Sequence, residues 1–353
     1  MSDLPLNDPL QSRRRVRRGG GRATITDVAR LSNVAPITVS RALRAPGTVS
    51  AELRARIDAA VIQLGYEPDP AARALASSRS NMIGVLVPSL TNIVFNDVLR
   101  GIYDGTSDGT LQVQIGNTHY STLEEERLLR SFISQRPIAL IVSGIDQNPA
   151  SRKILASAGC PVVQIMEVSE DPIDMLVGFS HFEGGRAATT HLLSVGYRRI
   201  GFVGARMDPR SQRRLAGYRR ALEEAGLYDP DLVTTTMEPS SVPLGRRLIQ
   251  DSFRKTPNLD AIFCNNDDLA LGVLFECQHA GLNVPQRLGI CGFNDLDLMA
   301  AACPPLTSVV TPRYEIGAQA MQMIRSRLNN APITDPARDL GFSLCAREST
   351  KRR

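Results

Sequence analysis

Apolar side chains recur at Leu53, Ile57, Ala60, Val61 and Leu64, a spacing that puts all five on one face of a helix. Ser50 precedes this stretch as a cap for its first backbone N–H groups, and Gly65 follows it as a left-handed stop. Two shorter helices are predicted upstream. One covers 27–31 with Thr26 as its cap; the other covers 36–44 with Pro36 in the first position, where its missing N–H costs nothing. Asn33, between them, tolerates the left-handed backbone of a tight turn. The pattern is helix, short turn, helix, helix. It breaks at Pro68 and Pro70, after which Asp69 and Pro70 can cap and start a helix over 71–77 that is too short to be stable alone.

From residue 82 the pattern changes. Short apolar runs at 83–87, 111–115, 139–142, 162–165, 200–203, 232–236, 261–264 and 288–292 read as strands, with helical periodicity between them at 123–135, 184–194 and 212–225. Buried strands joined by helices imply parallel sheets with crossover connections. Two such sheets fit in the length available, and sheets of this kind bind ligands beyond the carboxyl ends of their strands.

Charge divides the chain in the same place. Residues 1–80 hold 13 Arg and 7 acidic residues, a net +6, whereas the rest of the 353 residues carry −1. A basic end on a neutral body points to a polyanion partner for that end alone. The run Arg13-Arg14-Arg15-Val16-Arg17-Arg18, followed by Gly19-Gly20-Gly21, has no apolar periodicity and reads as a disordered basic tail over 1–23, either touching phosphates or simply solvated.

Other chemistry is sparse. The six cysteines form no C-x-x-C pair and mostly sit in apolar stretches, which reads as buried reduced thiols in a cytoplasmic protein. The four histidines share no metal-ligand spacing, and no dinucleotide, Walker or nucleophile-elbow motif is present, so no metal, cofactor or catalytic residue is expected. Neither a membrane-spanning run nor the apolar core of an export signal is expected.

Specific motifs then carry a resemblance. Thr24-Ile25-Thr26-Asp27-Val28-Ala29, Thr38-Val39-Ser40-Arg41-Ala42-Leu43, Val49-Ser50 and Leu64-Gly65-Tyr66-Glu67-Pro68 resemble the DNA-binding head of the lactose-repressor family. The likeness continues through Ala72-Arg73-Ala74-Leu75, Ile83-Gly84-Val85, Gly217-Tyr218, Asn266-Asp267-Asp268-Leu269-Ala270 and Gly292-Phe293-Asn294. The implied fold is an all-α helix-turn-helix head plus an α/β periplasmic-binding-protein-like core of two doubly wound parallel-sheet subdomains. The implied division is a head over 24–69, a hinge over 70–80, a first subdomain over 81–180 with 311–338, and a second over 181–310 with 339–350.

The resemblance implies a homodimer on double-stranded, near-palindromic operator DNA. The recognition helix would be 36–44, with Pro36, Ile37, Thr38, Ser40 and Arg41 at the DNA, and with Arg73 and Leu75 in the hinge. Arg41 can bond guanine O6 and N7 together, or else hold a phosphate; Ile37 could only pack on a thymine methyl or sugar. Leu75 matches a wedge that enters the minor groove and kinks the duplex. Two residues depart from the family: Ala35 stands where a capping Ser or Thr is usual, and Asn33 where Gly is usual. The chain stops at Arg353 without a C-terminal heptad helix, which favours a dimer over a tetramer.

The same resemblance implies an effector pocket between the subdomains, formed by Ser89, Asn92, Phe95, Glu167, Arg206, Arg210, Arg214, Asn266, Asp267 and Asn294. The alternative for each polar member is satisfaction within its own loop or helix cap, and for Glu167 a place at the surface. Asn294 stands where many sugar-binding members carry Asp, which removes a negative charge near three arginines and favours an acidic sugar. Pro88-Ser89-Leu90-Thr91-Asn92, Val177-Gly178-Phe179, Gly204-Ala205-Arg206-Met207-Asp208, Thr311-Pro312-Arg313 and Asp339-Leu340-Gly341-Phe342 are similar to the gluconate-operon repressor branch. That branch implies gluconate, 2-ketogluconate or a phosphorylated relative, acting to release the protein from DNA. A corepressor or activator role for the ligand, an enzyme acting on sugar acids in the same cleft, and a solute-binding protein without DNA are the competing readings.

Overall fold

The computed structural model describes residues 23–44, 46–67, 80–107 and 109–352, and the chain divides into two compact units, one up to Ser78 and one from Arg79 onward. The expected basic tail up to residue 22, and the hinge with Arg73 and Leu75, lie outside the described residues.

The first unit contains α1 (Ile25–Leu31), α2 (Pro36–Arg44) and α3 (Ala51–Leu64). The cap of α1 is Thr24 rather than the expected Thr26. Thr24 wins because Asp27 lies three residues on: the Thr24 hydroxyl oxygen accepts from Asp27 N while the Asp27 carboxylate accepts from Thr24 N, 3.0 Å away. Asn33 adopts a φ of 52° in the turn before α2. Ser50 caps α3 and Gly65 closes it in the left-handed region. Val28, Ala29, Val39, Ala42, Ile57 and Ala60 form the buried centre of the unit. Arg56 ties α3 to the turn by donating to the Ser32 carbonyl at 2.7 Å.

The second unit is built on two six-stranded sheets. Its strands are β1 (Met82–Val87), β2 (Gln112–Asn117), β3 (Ala139–Ser143), β4 (Val162–Ile165), β5 (Met175–Gly178), β6 (Ile200–Gly204), β7 (Val233–Thr235), β8 (Ala261–Cys264), β9 (Gly289–Asn294), β10 (Thr307–Val310), β11 (Ala337–Asp339) and β12 (Ser343–Cys345). Its helices are α4 (Val94–Asp104), α5 (Thr122–Ser134), α6 (Pro149–Ala156), α7 (His181–Ser194), α8 (Pro209–Glu224), α9 (Val242–Lys255), α10 (Asp267–His279), α11 (Asp297–Ala301) and α12 (Arg313–Leu328). The first sheet runs β11-β5-β4-β3-β1-β2 and the second β12-β10-β9-β8-β6-β7. All pairings are parallel except β10 with β12.

β1 is buried at all six positions, as a strand covered by helices on both faces must be. The periodicity did not single out β5, β10, β11 and β12; each is only three or four residues long. They carry the crossings between sheets. The chain passes from the first sheet to the second after β5, returns after β10, and crosses again between β11 and β12. These crossings lie side by side, since β11 pairs with β5, β12 pairs with β10, and Leu340 N donates to the Gly178 carbonyl at 2.8 Å.

Helices α7 and α8 approach backbone to backbone. A Cβ on Gly217 would lie 2.0 Å from the Phe182 carbonyl oxygen, so only glycine fits there. This contact sets the height of α8, and with it Arg214, against the sheet. Of the six free cysteines, Cys264, Cys277 and Cys291 are buried as expected, whereas Cys160 and Cys345 are half-buried and Cys303 is exposed. Among the described residues no helix is long and apolar enough to cross a membrane.

Candidate functional site

Helix α2 has two unlike faces. Val39 and Ala42 are buried in the centre of the first unit, while Pro36, Ile37 and Arg41 are exposed and Thr38 and Ser40 are half-buried. Pro36, Ile37, Ser40 and Arg41 follow the i, i+1, i+4, i+5 rule for a single outward stripe. Ile37, on this stripe, keeps 67% of its surface exposed. Ala35 offers no side-chain oxygen to the first turn of α2; its backbone carbonyl instead accepts from Thr38 N at 2.9 Å.

The second unit holds a cavity of about 150 Å³ between its two sheets. Every wall is a segment beyond the carboxyl end of a parallel strand. The first sheet supplies Ser89, Asn92 and Phe95. The second supplies Arg206, Arg210, Arg214, Asn266, Asp267 and Asn294. Nine of the ten residues expected at an effector pocket are thus together.

Glu167 is not among them. Met166 takes a left-handed φ of 77°, and it is Met166 that lines the cavity. The Glu167 carboxylate, only 2% exposed, turns away to accept from Val168 N and His181 N and to face Arg213 Nε at 3.6 Å. It is neither a pocket residue nor a surface one.

The arginines are held differently from one another. Arg214 is buried; its Nε donates to His181 Nδ1 at 3.1 Å, another nitrogen donates to the Asn265 carbonyl, and its guanidinium lies 3.9 Å from the Phe293 ring centre. His181 Nε2 sits 2.8 Å from the Met166 carbonyl, so the ring carries its proton there and accepts at Nδ1. Burial, reinforced by Arg214 and Arg210, holds this imidazole well below its usual value and keeps it neutral. Burial also draws Arg214 down to about 10, so it stays a cation at neutral pH. Arg210 pairs with Asp208 at 3.5 Å and donates to Ser143, at the end of β3 in the first sheet, at 3.2 Å. Burial works to raise the Asp208 carboxyl, but Arg210 and hydrogen bonds from Ser211 outweigh it and keep the group below its usual range.

The acidic side is partly spoken for. Asp267 accepts from Leu296 N and from the Ser308 hydroxyl, each at 2.7 Å, and burial pushes its carboxyl up to about 6. Asn266 caps α10 and accepts from Ser240 at 2.8 Å. Ser89 receives the backbone of Thr91 and Asn92. These are loop and cap roles at residues that also line the cavity. Asn294 differs: its Oδ1 is buried beside the cavity without a hydrogen-bond partner, an acceptor kept open for a hydroxyl or amine.

Sequence reasoning missed Tyr120, Asp208, Ser240 and Asp268, which also line the cavity. Asp208-Pro209 is a helix-start signal, and Asp208 does cap α8. Tyr120 follows β2 as Ser89 follows β1, so the strand-end rule applied to β2 reaches it.

A model of bacterial regulatory proteins of the lacI family matches residues 24–69, and one of a periplasmic binding protein-like domain matches residues 189–350. The HTH-type transcriptional regulator GntR of Pseudomonas aeruginosa is 42% identical over 330 residues, covering 94% of this chain and 96% of that one. The chain belongs to the LacI family of transcription regulators. The Escherichia coli regulator IdnR is 34% identical over 327 residues, 92% of this chain and 97% of its own. Among solved structures, a LacI-family regulator from Silicibacter pomeroyi superposes with a TM-score of 0.86 at 37% identity, covering 94% of this chain and all of that one. GntR from Chromobacterium violaceum does so with 0.74 at 40%, covering 76% and 99%. The lac repressor dimer bound to operator, at 22% identity and a TM-score of 0.82, shares the fold. This LacI-family chain is a DNA-binding regulator and not an enzyme.

Proposed function

We propose that this regulator binds a near-palindromic operator as a cytoplasmic homodimer and is released from it by a sugar acid, with gluconate, 2-ketogluconate or a phosphorylated relative as effector. The observation that carries the effector is a cavity with three arginines in its wall, one of them buried, beside an unpaired amide oxygen. Cations suit a carboxylate or phosphate, and the amide oxygen and neighbouring polar groups suit hydroxyls. The gluconate-operon motifs and the GntR and IdnR relatives agree with that choice.

The DNA reading rests on the outward stripe of α2. Arg41 would bond a guanine, Pro36 and Ile37 would pack on base or sugar, and Thr38 and Ser40 would meet phosphate or base. Arg73 and Leu75 would act at the minor groove between the two half-sites. Ligand closes the two sheets on each other and shifts the first subdomains of the dimer, so the paired hinges separate. By linkage, DNA must weaken ligand binding by the same factor that ligand weakens DNA binding.

The test is a titration of a palindromic operator at fixed, stated salt, repeated with each sugar acid. A fall in DNA affinity with one of them is expected. A rise makes the ligand a corepressor, and equal affinity throughout overturns the effector. Removal of residues 1–80 should abolish DNA binding and leave ligand binding intact.

A further inference from the structure

Two loops reach toward each other over the cavity, and both are bent into the left-handed region by residues other than glycine: His119 and Tyr120 after β2, Arg206 and Met207 after β6. Such backbone persists only where surrounding contacts hold it. Here the Arg206 guanidinium lies 4.0 Å from the centre of the Tyr120 ring. Asn92 donates to the Tyr120 hydroxyl at 3.1 Å, which fixes the ring to the first subdomain. Arg206 N donates to the Glu238 carbonyl at 2.9 Å, which fixes its loop to the second.

The neighbouring arginines are already engaged. Arg210 has Asp208, Arg213 has Asp146 at 2.6 Å, and Arg214 has His181 and the Asn265 carbonyl. Among the described residues Arg206 forms no ion pair and its side chain donates no hydrogen bond; the Tyr120 face is its partner. A π-face attracts a cation but accepts none of its N–H groups in the way a carboxylate does.

We infer that Tyr120 and Arg206 form a two-piece lid that reads the effector's negative charge. Arg206 receives the carboxylate, and Tyr120 holds it over the cavity only when the two subdomains are together. Closing the cleft takes the guanidinium out of water; the ring offsets part of that cost and the carboxylate supplies the rest. A neutral polyol of the same length gives Arg206 nothing, so it occupies the cavity without shutting the lid. This inference rests on the sugar-acid reading above.

The chain has no tryptophan, so Tyr120→Trp places a lone tryptophan, excited selectively over the tyrosines, on the lid and keeps a π-face for Arg206. In the full-length protein, gluconate is expected to shift its emission and the neutral polyol glucitol is not; adding Arg206→Gln should remove the gluconate response. By calorimetry, Tyr120→Ala and Arg206→Gln should each weaken gluconate by about tenfold or more, while Tyr120→Phe stays within about threefold of wild type. Wild-type gluconate affinity in both Tyr120→Ala and Arg206→Gln, or an unchanged spectrum while calorimetry records gluconate bound to Tyr120→Trp, overturns the lid and leaves the sugar-acid reading standing. A wild-type protein that binds no sugar acid overturns both.

Discussion

Arg41 and Arg214 are the same side chain in opposite surroundings, and the proposed function gives them opposite uses. Arg41 stands exposed on α2, and Arg214 is buried against His181, Phe293 and the Asn265 carbonyl. A surface that reads a polymer can leave its donors in water, because the polymer brings the acceptors. A pocket for a small molecule cannot wait: its cation has to be aimed before the ligand arrives, and protein groups do the aiming. On those proposed roles, a basic residue's exposure separates the two kinds of anion site better than its charge does.

The largest effect is expected at Arg214. Arg214→Ala strands the His181 Nδ1 and the Asn265 carbonyl in the interior, and should cost about 2–3 kcal/mol of stability along with effector binding. Thermal unfolding and calorimetry would report both; an unchanged melting temperature would make Arg214 as loosely held as Arg41. Next in size, Arg41→Ala should weaken operator binding by about 1–3 kcal/mol and relax preference at one base of each half-site, with no change in melting temperature. A uniform loss over all sequences would instead assign Arg41 to a phosphate. Thr24→Ala should destabilise the head by about 1 kcal/mol and leave effector affinity untouched, as followed by chemical denaturation and calorimetry.

The smallest effect is one of slope. The folded state holds His181 well below its usual pKa of 6.5, so on acidification the unfolded chain takes up a proton that the folded one refuses. Stability from this group is therefore full above that pKa and falls as the pH drops through 6.5 and below. Asp267, raised in the folded state from 3.8 to about 6, acts in the opposite sense over that window. The contrast of wild type with His181→Gln isolates the histidine: the variant should lose less melting temperature between pH 7.5 and pH 5. Parallel profiles would mean that His181 takes up its proton in the fold just as it does in the unfolded chain.

Much of this was legible in the sequence wherever one local rule acted alone. Pro36 at a helix start and Asn33 in a tight turn set α2 and its turn, and Ser50 and Gly65 bounded α3. Where two rules competed, the reading slipped. Thr24 and Thr26 are equally good caps until Asp27 is counted as the reciprocal partner of the first. The strands β5 and β10 escape the local pattern; the first is placed by pairing with β4 and the remote β11, the second by pairing with β9 and β12. The family resemblance places Glu167 at the pocket, but with the left-handed backbone at Met166 it is Met166 that lines the cavity. Tyr120 escaped because its partner, Arg206, is remote in sequence and joined to it only by the fold.

The three side-by-side crossings between the sheets have one further consequence. A single connecting strand would let the halves twist, slide and tilt independently. Three at one seam tie those motions together and leave rotation about the seam as the easy one. On the proposed function the core would then be an instrument with a single needle: the shape and charge of whatever enters the cavity would be compressed into one opening angle, and that angle would be all that is handed on to the DNA-binding end.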